Sequence, residues 1–254
     1  MTRIDVILLP AQRSDPSGAV CVVVDVLRAS SSMVTLLDRG AGCVMGANDV
    51  DAARLLSARL PEYLLCGEQG GLPPEGFAYG NSPAEFSRLD LRGSSIILAT
   101  SNGTRILAEL APHAPAVLIG CLLNRTAAAG AALQMARQGS LDIAVVCSAA
   151  YGGGTFVLED ALGAGAIADA VLALDPSLQA GDAARFARDA FLTARPRLSE
   201  AVASAYHARE LTKAGFGEDV AYCAQLDISD AVPSLDRGED GLLRLAPHPR
   251  SRPE

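Results

Sequence analysis

The chain has 254 residues, of which half are hydrophobic, and its formal net charge at pH 7 is −8. This length and apolar content suffice for one large folded domain or two small ones. The acidic balance argues against a nucleic-acid partner, because binding the phosphate backbone requires a basic face.

The chain shows no targeting or membrane signal. No basic segment precedes a long apolar run near the N-terminus, and the longest low-charge stretch, residues 143–158, contains three consecutive glycines. We therefore expect a soluble, cytoplasmic protein without a membrane partner. The six cysteines occur singly, without the close pairs that zinc and dithiol sites use, so we expect buried free thiols.

Strand and helix patterns alternate along the chain from residue 20. The first series is strand 20–24, polar loop 25–32, helix 33–39, strand 43–45 and helix 50–60. The second series is strand 95–98, polar loop 100–105, helix 106–110, strand 116–119 and helix 126–137. Their similar spacing indicates an internal duplication of a βαβα unit, although any βαβα series is spaced in this way.

Further elements complete an α/β pattern. They are strand 143–146, glycine-containing loop 148–154, helix 158–174, helix 182–194, helix 198–213 and a late strand 220–226. Alternating strands and helices predict a largely parallel sheet covered on both faces. We expect one domain over residues 1–235, which allows two similar subdomains (about 1–85 and 86–235), and a polar C-terminal tail over 236–254.

The first predicted strand ends in a group of polar residues suited to an anion or a metal. Asp25, Arg28, Ser30 and Ser31 lie between an apolar strand and a helix. The carboxyl ends of strands in an open α/β sheet bind ligands, and a helix N-terminus favours an anion. An aspartate there also suits Mg²⁺ or phosphoryl transfer, while the simpler alternative is that Asp25 or Ser30 only caps the helix.

Three other loops carry similar groups. A long Gly- and Pro-rich loop contains Glu68 and ends near Asn81 and Ser82, and loops of this length are usually functional or disordered. The 100–105 loop offers a phosphate cradle, with a type I′ turn as the alternative reading. Its candidate ligands are Ser101, Asn102, Gly103, Thr104 and Arg105. Glu159 and Asp160 open the 158–174 helix, where they could simply complement the helix dipole.

Histidine contributes little to this prediction. His113 lies among prolines, His248 lies near the C-terminus, and His207 falls on a predicted helix, where we expect a partly exposed surface position. Acid–base chemistry should therefore rest on carboxylates.

Together these segments resemble the 2-phosphosulfolactate phosphatase family. The motifs that carry the resemblance are Val24 to Ser31, Gly67-Glu68, Gly76-Phe77 with Gly80 to Pro83, Ser101 to Arg105, and Leu158 to Asp160 with Ala164-Gly165. The resemblance implies a three-layer α/β/α fold and a Mg²⁺-dependent hydrolysis of (R)-2-phospho-3-sulfolactate, a small phosphorylated organic acid. Gln69, where we expect arginine, and the extended 148–154 loop depart from the pattern and leave the substrate open.

Our mechanistic hypothesis places Mg²⁺ on Asp25, Glu68, Glu159 and Asp160, with a metal-activated water as nucleophile. Arg28, Asn102, Arg105 and the amides near Gly103 and Thr104 would hold the phosphoryl oxygens, and Ser30, Ser31, Asn81, Ser82 and Ser101 would complete the substrate site. Attack by Asp25 is the alternative route, but Leu27 stands where aspartyl-phosphate enzymes usually carry a second aspartate.

Two other functions stay open at this point. One is hydrolysis of a different small organic phosphate on the same fold, and the other is non-catalytic binding of phosphate or a nucleotide. A pure anion site gains nothing from neighbouring acids, whereas a metal site requires them. An apolar, alanine-rich chain with a duplicated core is compatible with a homodimer.

Overall fold

The computed structural model describes residues 2–12, 15–100, 103–150, 153–237 and 241–249. The strands of this part of the chain are β1 (Arg3–Ile7), β2 (Ala19–Val24), β3 (Cys43–Ala47), β4 (Leu64–Gly67), β5 (Ser95–Ala99), β6 (Ala116–Ile119), β7 (Asp142–Cys147), β8 (Gln179–Ala180), β9 (Pro233–Arg237) and β10 (Leu243–Pro247). The helices are α1 (Ala29–Asp38), α2 (Val50–Arg59), α3 (Pro83–Phe86), α4 (Gly103–Leu110), α5 (Arg125–Gly139), α6 (Leu158–Leu174), α7 (Asp182–Ala194), α8 (Leu198–Ala203), α9 (Tyr206–Lys213) and α10 (Gly217–Cys223).

All of these strands belong to one sheet, in the order β4-β5-β3-β10-β9-β6-β2-β7-β1-β8. The trio β4-β5-β3 is parallel throughout, and so is the group from β6 to β8. We call these two parallel groups the half-sheets. Strands β9 and β10 lie between them, and the pairs β3–β10, β10–β9 and β9–β6 are all antiparallel. The two half-sheets therefore run in opposite directions.

The chain contains two βαβαβ series, which we call the repeated units, and the strand order shows that they exchange their first strands. The first unit runs β2-α1-β3-α2-β4, and the second runs β5-α4-β6-α5-β7. In the sheet, β5 lies between β3 and β4, whereas β2 lies between β6 and β7. A cut near residue 85 would therefore leave each half-sheet without a strand that lies in its interior.

The three-layer α/β/α prediction is confirmed. Alternate residues of β2 face opposite sides: Val20, Val22 and Val24 pack in a core with α5, α6 and α7, while Cys21 and Val23 pack in a second core with α1 and α4. This alternation follows from the period of two in a strand. The second core extends across both half-sheets, and a smaller third core lies beneath α2.

Several predicted boundaries are confirmed and two are wrong. The strand at 116–119 and the helices at 158–174 and 182–194 have the predicted bounds. The predicted helix 198–213 is divided into α8 and α9 because Ala205 has an extended backbone, with φ −60° and ψ 149°. The predicted strand at 220–226 is wrong: Val220 and Cys223, three residues apart, form the buried face of α10.

The prediction of a polar tail from residue 236 is also wrong for residues 243–247. They form β10, which lies inside the sheet between β3 and β9. Leu245 is fully buried and pairs with Val44 and Leu235. The alternation Leu243-Arg244-Leu245 is a strand pattern, but it is only three residues long and flanked by charge and proline.

Five of the six cysteines are buried, and Cys43 is half-buried. All six cysteines are free, and burial raises the pKa of the Cys66 thiol to about 12, which keeps it protonated. None of the helices in the described part of the chain has the length and hydrophobicity to cross a membrane.

Cutting the chain at the exposed turn between Arg92 and Gly93 tests the strand exchange. We expect fragments 1–92 and 93–254 each to lack a cooperative unfolding transition, because each half-sheet then misses an interior strand. Near-UV circular dichroism during urea titration provides the measurement. The control is a mixture of the two fragments, in which the peptide bond is still cut but all strands are present. Cooperative unfolding of either fragment alone would contradict the exchange.

Candidate active site

The two equivalent strand-to-helix turns of the repeated units meet at Asp25. Asp25 follows β2, and its Oδ1 accepts a hydrogen bond from the backbone N–H of Ala29 at the start of α1 (3.2 Å). Gly103 begins α4, and a Cβ built on it would lie 3.2 Å from Asp25 Oδ2 and 2.7 Å from the Ala29 Cβ. Glycine is therefore required at 103 for α4 to begin this close to the carboxylate.

Asp25 is buried, with 6% of its surface exposed. Burial raises the pKa of its carboxyl group, while a 2.9 Å hydrogen bond donated by Ser148 Oγ partly opposes this rise. Ser148 follows β7, which neighbours β2 in the sheet. The carboxylate is thus held from two sides by adjacent elements.

Asp160 accepts hydrogen bonds from the backbone that follows two neighbouring strands of the site. Its Oδ1 accepts from the backbone N–H of Val26 (2.9 Å), and its Oδ2 accepts from the backbone N–H of Ala149 (3.2 Å) and lies 3.2 Å from Ser148 Oγ. Burial, followed by the charges of Asp25 and Glu159, raises its pKa well above the usual value. Asp160 therefore ties the ends of β2 and β7 to the start of α6.

Glu159 is equally buried but incompletely paired. Its Oε1 lies 3.4 Å from Nδ1 of His207 on α9, and this contact raises the pKa of the histidine. Its Oε2 is buried, and no described residue gives it a hydrogen bond. Since a buried polar atom normally has a partner, this oxygen is free to receive a ligand.

Arg28 supplies positive charge beside Asp25. Its side chain is buried, and Nη1 donates to Oδ2 of Asp219 (3.0 Å) while Nη2 donates to the carbonyl of Gly71 (2.9 Å). The guanidinium also stacks over the Phe216 ring, 4.5 Å from its centroid. The peptide bond between Leu27 and Arg28 is cis.

Two cavities share Asp25, Leu27 and His207 as wall residues. The smaller, of about 230 Å³, is also lined by Arg28, Glu68, Gly70, Gly71, Asn81, Thr100 and Ala29. The larger, of about 860 Å³, is lined by Ser148, Glu159 and Asp160 together with residues 149–150, 155–158 and 204–206. We call them the polar cavity and the large cavity. Asp25 thus lies between a cavity that contains Arg28 and one that contains Glu159 and Asp160.

Glu68 reaches the polar cavity because β4 ends unusually close to β5. Gly67 has φ +147°, and a Cβ there would lie 2.5 Å from the Ala99 carbonyl, so only glycine fits. Glu68 then accepts a 2.8 Å hydrogen bond from the Gly71 N–H, which closes the loop on itself.

Several predicted substrate ligands are directed elsewhere. Ser30 Oγ accepts from the Asp25 N–H, Ser31 Oγ donates to the Val26 carbonyl, and Thr104 Oγ1 donates to the Thr100 carbonyl. Each hydroxyl therefore stabilises the backbone of a turn.

Asn81 and Ser82 divide between the cavity and the scaffold. Asn81 lines the polar cavity and accepts from Ser32 Oγ (2.5 Å). Ser82 caps α3 and donates to Asp219 (2.6 Å).

Arg105 lines neither cavity. Its Nη1 pairs with Glu109, and its Nη2 lies beside Gly153, where a Cβ would approach to 2.8 Å. Its Nε and Nη2 atoms are buried and have no hydrogen-bond partner among the described residues. Ser101 and Asn102, also predicted to bind substrate, lie outside the described residues.

Residues 148, 207 and 219 are site positions that the candidate set omitted. Ser148 follows an apolar strand, a signal already used for Asp25. His207 lies on a helix and is partly exposed, as expected, but its ring also lines both cavities. Asp219 lies on α10, one residue before the predicted strand 220–226, so no helical pattern indicated its burial.

The predicted four-carboxylate metal centre does not assemble as one ligand cage. Within the described ranges, no group of three or more His, Cys, Asp or Glu side chains is arranged to hold a metal ion. Both oxygens of Asp160 already accept backbone hydrogen bonds, whereas Glu159 Oε2 has no partner among the described residues. Because Mg²⁺ usually takes one or two carboxylates together with waters and substrate phosphate, Asp25 and Glu159 fit it without a complete cage.

Comparison with known proteins identifies the family of this chain. The family model described as 2-phosphosulpholactate phosphatase matches residues 7–238. A protein of Deinococcus radiodurans named probable 2-phosphosulfolactate phosphatase is 38% identical over 232 residues, which are 89% of this chain and 92% of that protein. One of the same name from Pseudothermotoga lettingae is 36% identical over 245 residues, covering 96% of this chain and 100% of its own.

The matched region contains β2 to β9 and therefore both repeated units, both cavities and Asp25. The chain belongs to the 2-phosphosulpholactate phosphatase family.

Proposed function

We propose that this protein is a Mg²⁺-dependent phosphomonoesterase that hydrolyses 2-phosphosulfolactate to sulfolactate and phosphate with water as the nucleophile. Family membership supports the reaction class. The observation that carries the proposal is the buried Asp25 carboxylate, which stands between the Arg28 side of the site and the Glu159 side. Such a concentration of buried ionisable groups is typical of a catalytic site.

The polar cavity suits the phosphoryl group. Arg28 brings a guanidinium to its wall, and α1 and α4 both begin beside Asp25. Helix N-termini and arginine both favour phosphate oxygens. These donors are fixed before substrate arrives, so they would stabilise the charge that shifts in the transition state.

The buried acids suit a divalent cation. Asp25, Glu159 and Asp160 bring like charges together out of water, and burial raises the pKa of both aspartates. Asp25 and Glu159 would hold Mg²⁺, which when bound polarises the phosphoryl group and lowers the pKa of a water molecule. Glu68 lies across the polar cavity, and Asp160 keeps the surrounding backbone in place.

Water is favoured over Asp25 as the nucleophile. Both carboxylate oxygens of Asp25 already accept hydrogen bonds, from Ala29 N–H and from Ser148 Oγ. Two residues further on, the buried Leu27 offers no proton donor to a leaving group. Asp25 would instead orient the attacking water with the metal.

A second candidate is hydrolysis of another small phosphate ester. The acids Asp25, Glu159 and Asp160 line the large cavity, and in the described part of its wall the imidazole of His207 is the basic group. A substrate with both a sulfonate and a carboxylate brings two negative charges near these acids. An uncharged organic group would meet less repulsion there.

Replacing Asp25 by Asn tests the proposal. We expect kcat/KM for 2-phosphosulfolactate with Mg²⁺ to fall by about 10³-fold or more, because the carboxylate that holds the metal and orients water is lost. The Tm should stay equal or rise, since a buried charge near two other acids is removed. Phosphate release measured across phospho-hydroxy acids, with and without a sulfonate and with EDTA, separates the two candidate substrates.

The matched control is Asp49→Asn. Asp49 also caps a helix, accepting from the Ala52 N–H at 2.7 Å, but it is exposed and lies outside both cavities. Its activity should equal that of the wild type. Near-normal turnover by Asp25→Asn would contradict the assignment of Asp25 to the active site.

Trapping experiments distinguish the two nucleophiles. With water as nucleophile, rapid quenching with ³²P-labelled substrate should yield no acid-stable label on the protein. Beryllium fluoride should likewise leave no covalent-like adduct on Asp25 in a crystal structure. A stoichiometric aspartyl phosphate that forms and decays at the turnover rate would instead make Asp25 the nucleophile.

A further inference from the structure

Asp219 connects three separate segments to the wall of the polar cavity. It lies on α10 with 1% of its surface exposed. Its Oδ2 accepts from Arg28 Nη1 at 3.0 Å, and its Oδ1 accepts from Ser82 Oγ at 2.6 Å and from the Ala84 N–H at 3.1 Å. The buried carboxylate therefore connects α10, on which it lies, to the loop before α1 and to the start of α3.

The guanidinium of Arg28 is fixed on several sides by this arrangement. Asp219 accepts a hydrogen bond from Nη1, the Gly71 carbonyl accepts one from Nη2, and the Phe216 ring lies against the guanidinium plane. An arginine side chain otherwise has many rotamers, and ordering it on substrate binding would cost entropy. These contacts place the charge on the cavity wall before a ligand arrives.

We propose that Asp219 is a positioning residue that acts through Arg28, presetting the guanidinium to receive the phosphoryl oxygens of the substrate. The inference rests on the proposed function, because it assigns Arg28 to the phosphoryl group. It extends the site to α10, an element that lines neither cavity.

A purely structural role is the alternative, since Asp219 also holds Ser82 and the start of α3. The two roles differ in how mutations combine. A residue that acts through Arg28 loses its effect once Arg28 is gone, whereas independent structural damage adds to the loss. A double-mutant cycle between the two positions therefore separates them.

The experiment compares wild type, Asp219→Asn, Arg28→Met and the double variant, with Glu218→Gln as control. Glu218 is the neighbouring acid on α10, but its pair with Arg88 is exposed. Each protein is assayed for kcat, KM and the inhibition constant of inorganic phosphate, and calorimetry measures phosphate binding directly. We expect Asp219→Asn to lower kcat/KM by about 10²-fold and to weaken phosphate binding, with no further loss in the double variant relative to Arg28→Met.

Losses that multiply in the double variant, or an Asp219→Asn protein that binds phosphate like the wild type, would overturn the inference. If the wild type binds phosphate but hydrolyses no ester, the proposed function fails, and the binding cycle still decides the role of Asp219. Absence of phosphate binding by the wild type overturns both.

Phe216→Leu provides a second variant should near-UV circular dichroism show that Asp219→Asn does not fold. It removes the ring against the guanidinium without leaving a buried charge. It should weaken phosphate binding, and again add nothing to Arg28→Met. Unchanged binding in Phe216→Leu would then count against presetting of Arg28.

Discussion

The exchange of first strands between the two repeated units is the constraint on which the site depends. Because β2 is inserted in the second unit and β5 in the first, the turns that follow these strands belong to different half-sheets. The half-sheets run in opposite directions, yet α1 and α4 both begin beside Asp25. We call the place where α1 and α4 begin beside Asp25 the junction. Neither unit could form it alone, so the site assembles only when the whole sheet folds.

The junction concentrates negative charge in a place where water is largely excluded. Burial raises the pKa of Asp25 and Asp160, so their ionised forms are less favourable here than in an unfolded chain. Backbone amides, Ser148 and His207 offset part of this cost. A cluster of this kind lowers the free energy of unfolding and is retained where it performs chemistry, as at many active sites.

The fold was largely predictable because its strands are apolar runs and its helices are long and patterned. β2, β6 and α6 could be recognised locally, and so could the polar residues at the end of β2. β10 could not, because three residues of alternation between charged and proline-containing segments carry too little signal. The strand exchange could not be predicted from the sequence either, since two βα series have the same hydrophobic pattern whether their strands pair within a unit or between units.

Residue type indicated which side chains could bind a phosphate or a metal, but not whether each one faces a cavity or the backbone. Asp25, Arg28 and Glu159 lie on the cavity walls, whereas the hydroxyls of Ser30 and Ser31 satisfy the backbone of the same turn. Hydroxyl groups serve a cap and a ligand equally well, so composition cannot separate the two uses. Asp219 lies 191 residues from Arg28 in the chain, and their contact is a product of tertiary structure alone.

A crystal structure with tungstate, a phosphate analogue that tungsten's anomalous scattering locates without bias, tests most directly whether the two turns around Asp25 form the phosphoryl site. We expect one strong peak in the polar cavity, within hydrogen-bond distance of the Arg28 guanidinium. A peak beside Arg105 and Gly153, or in the large cavity away from Arg28, with none in the polar cavity, would contradict the assignment.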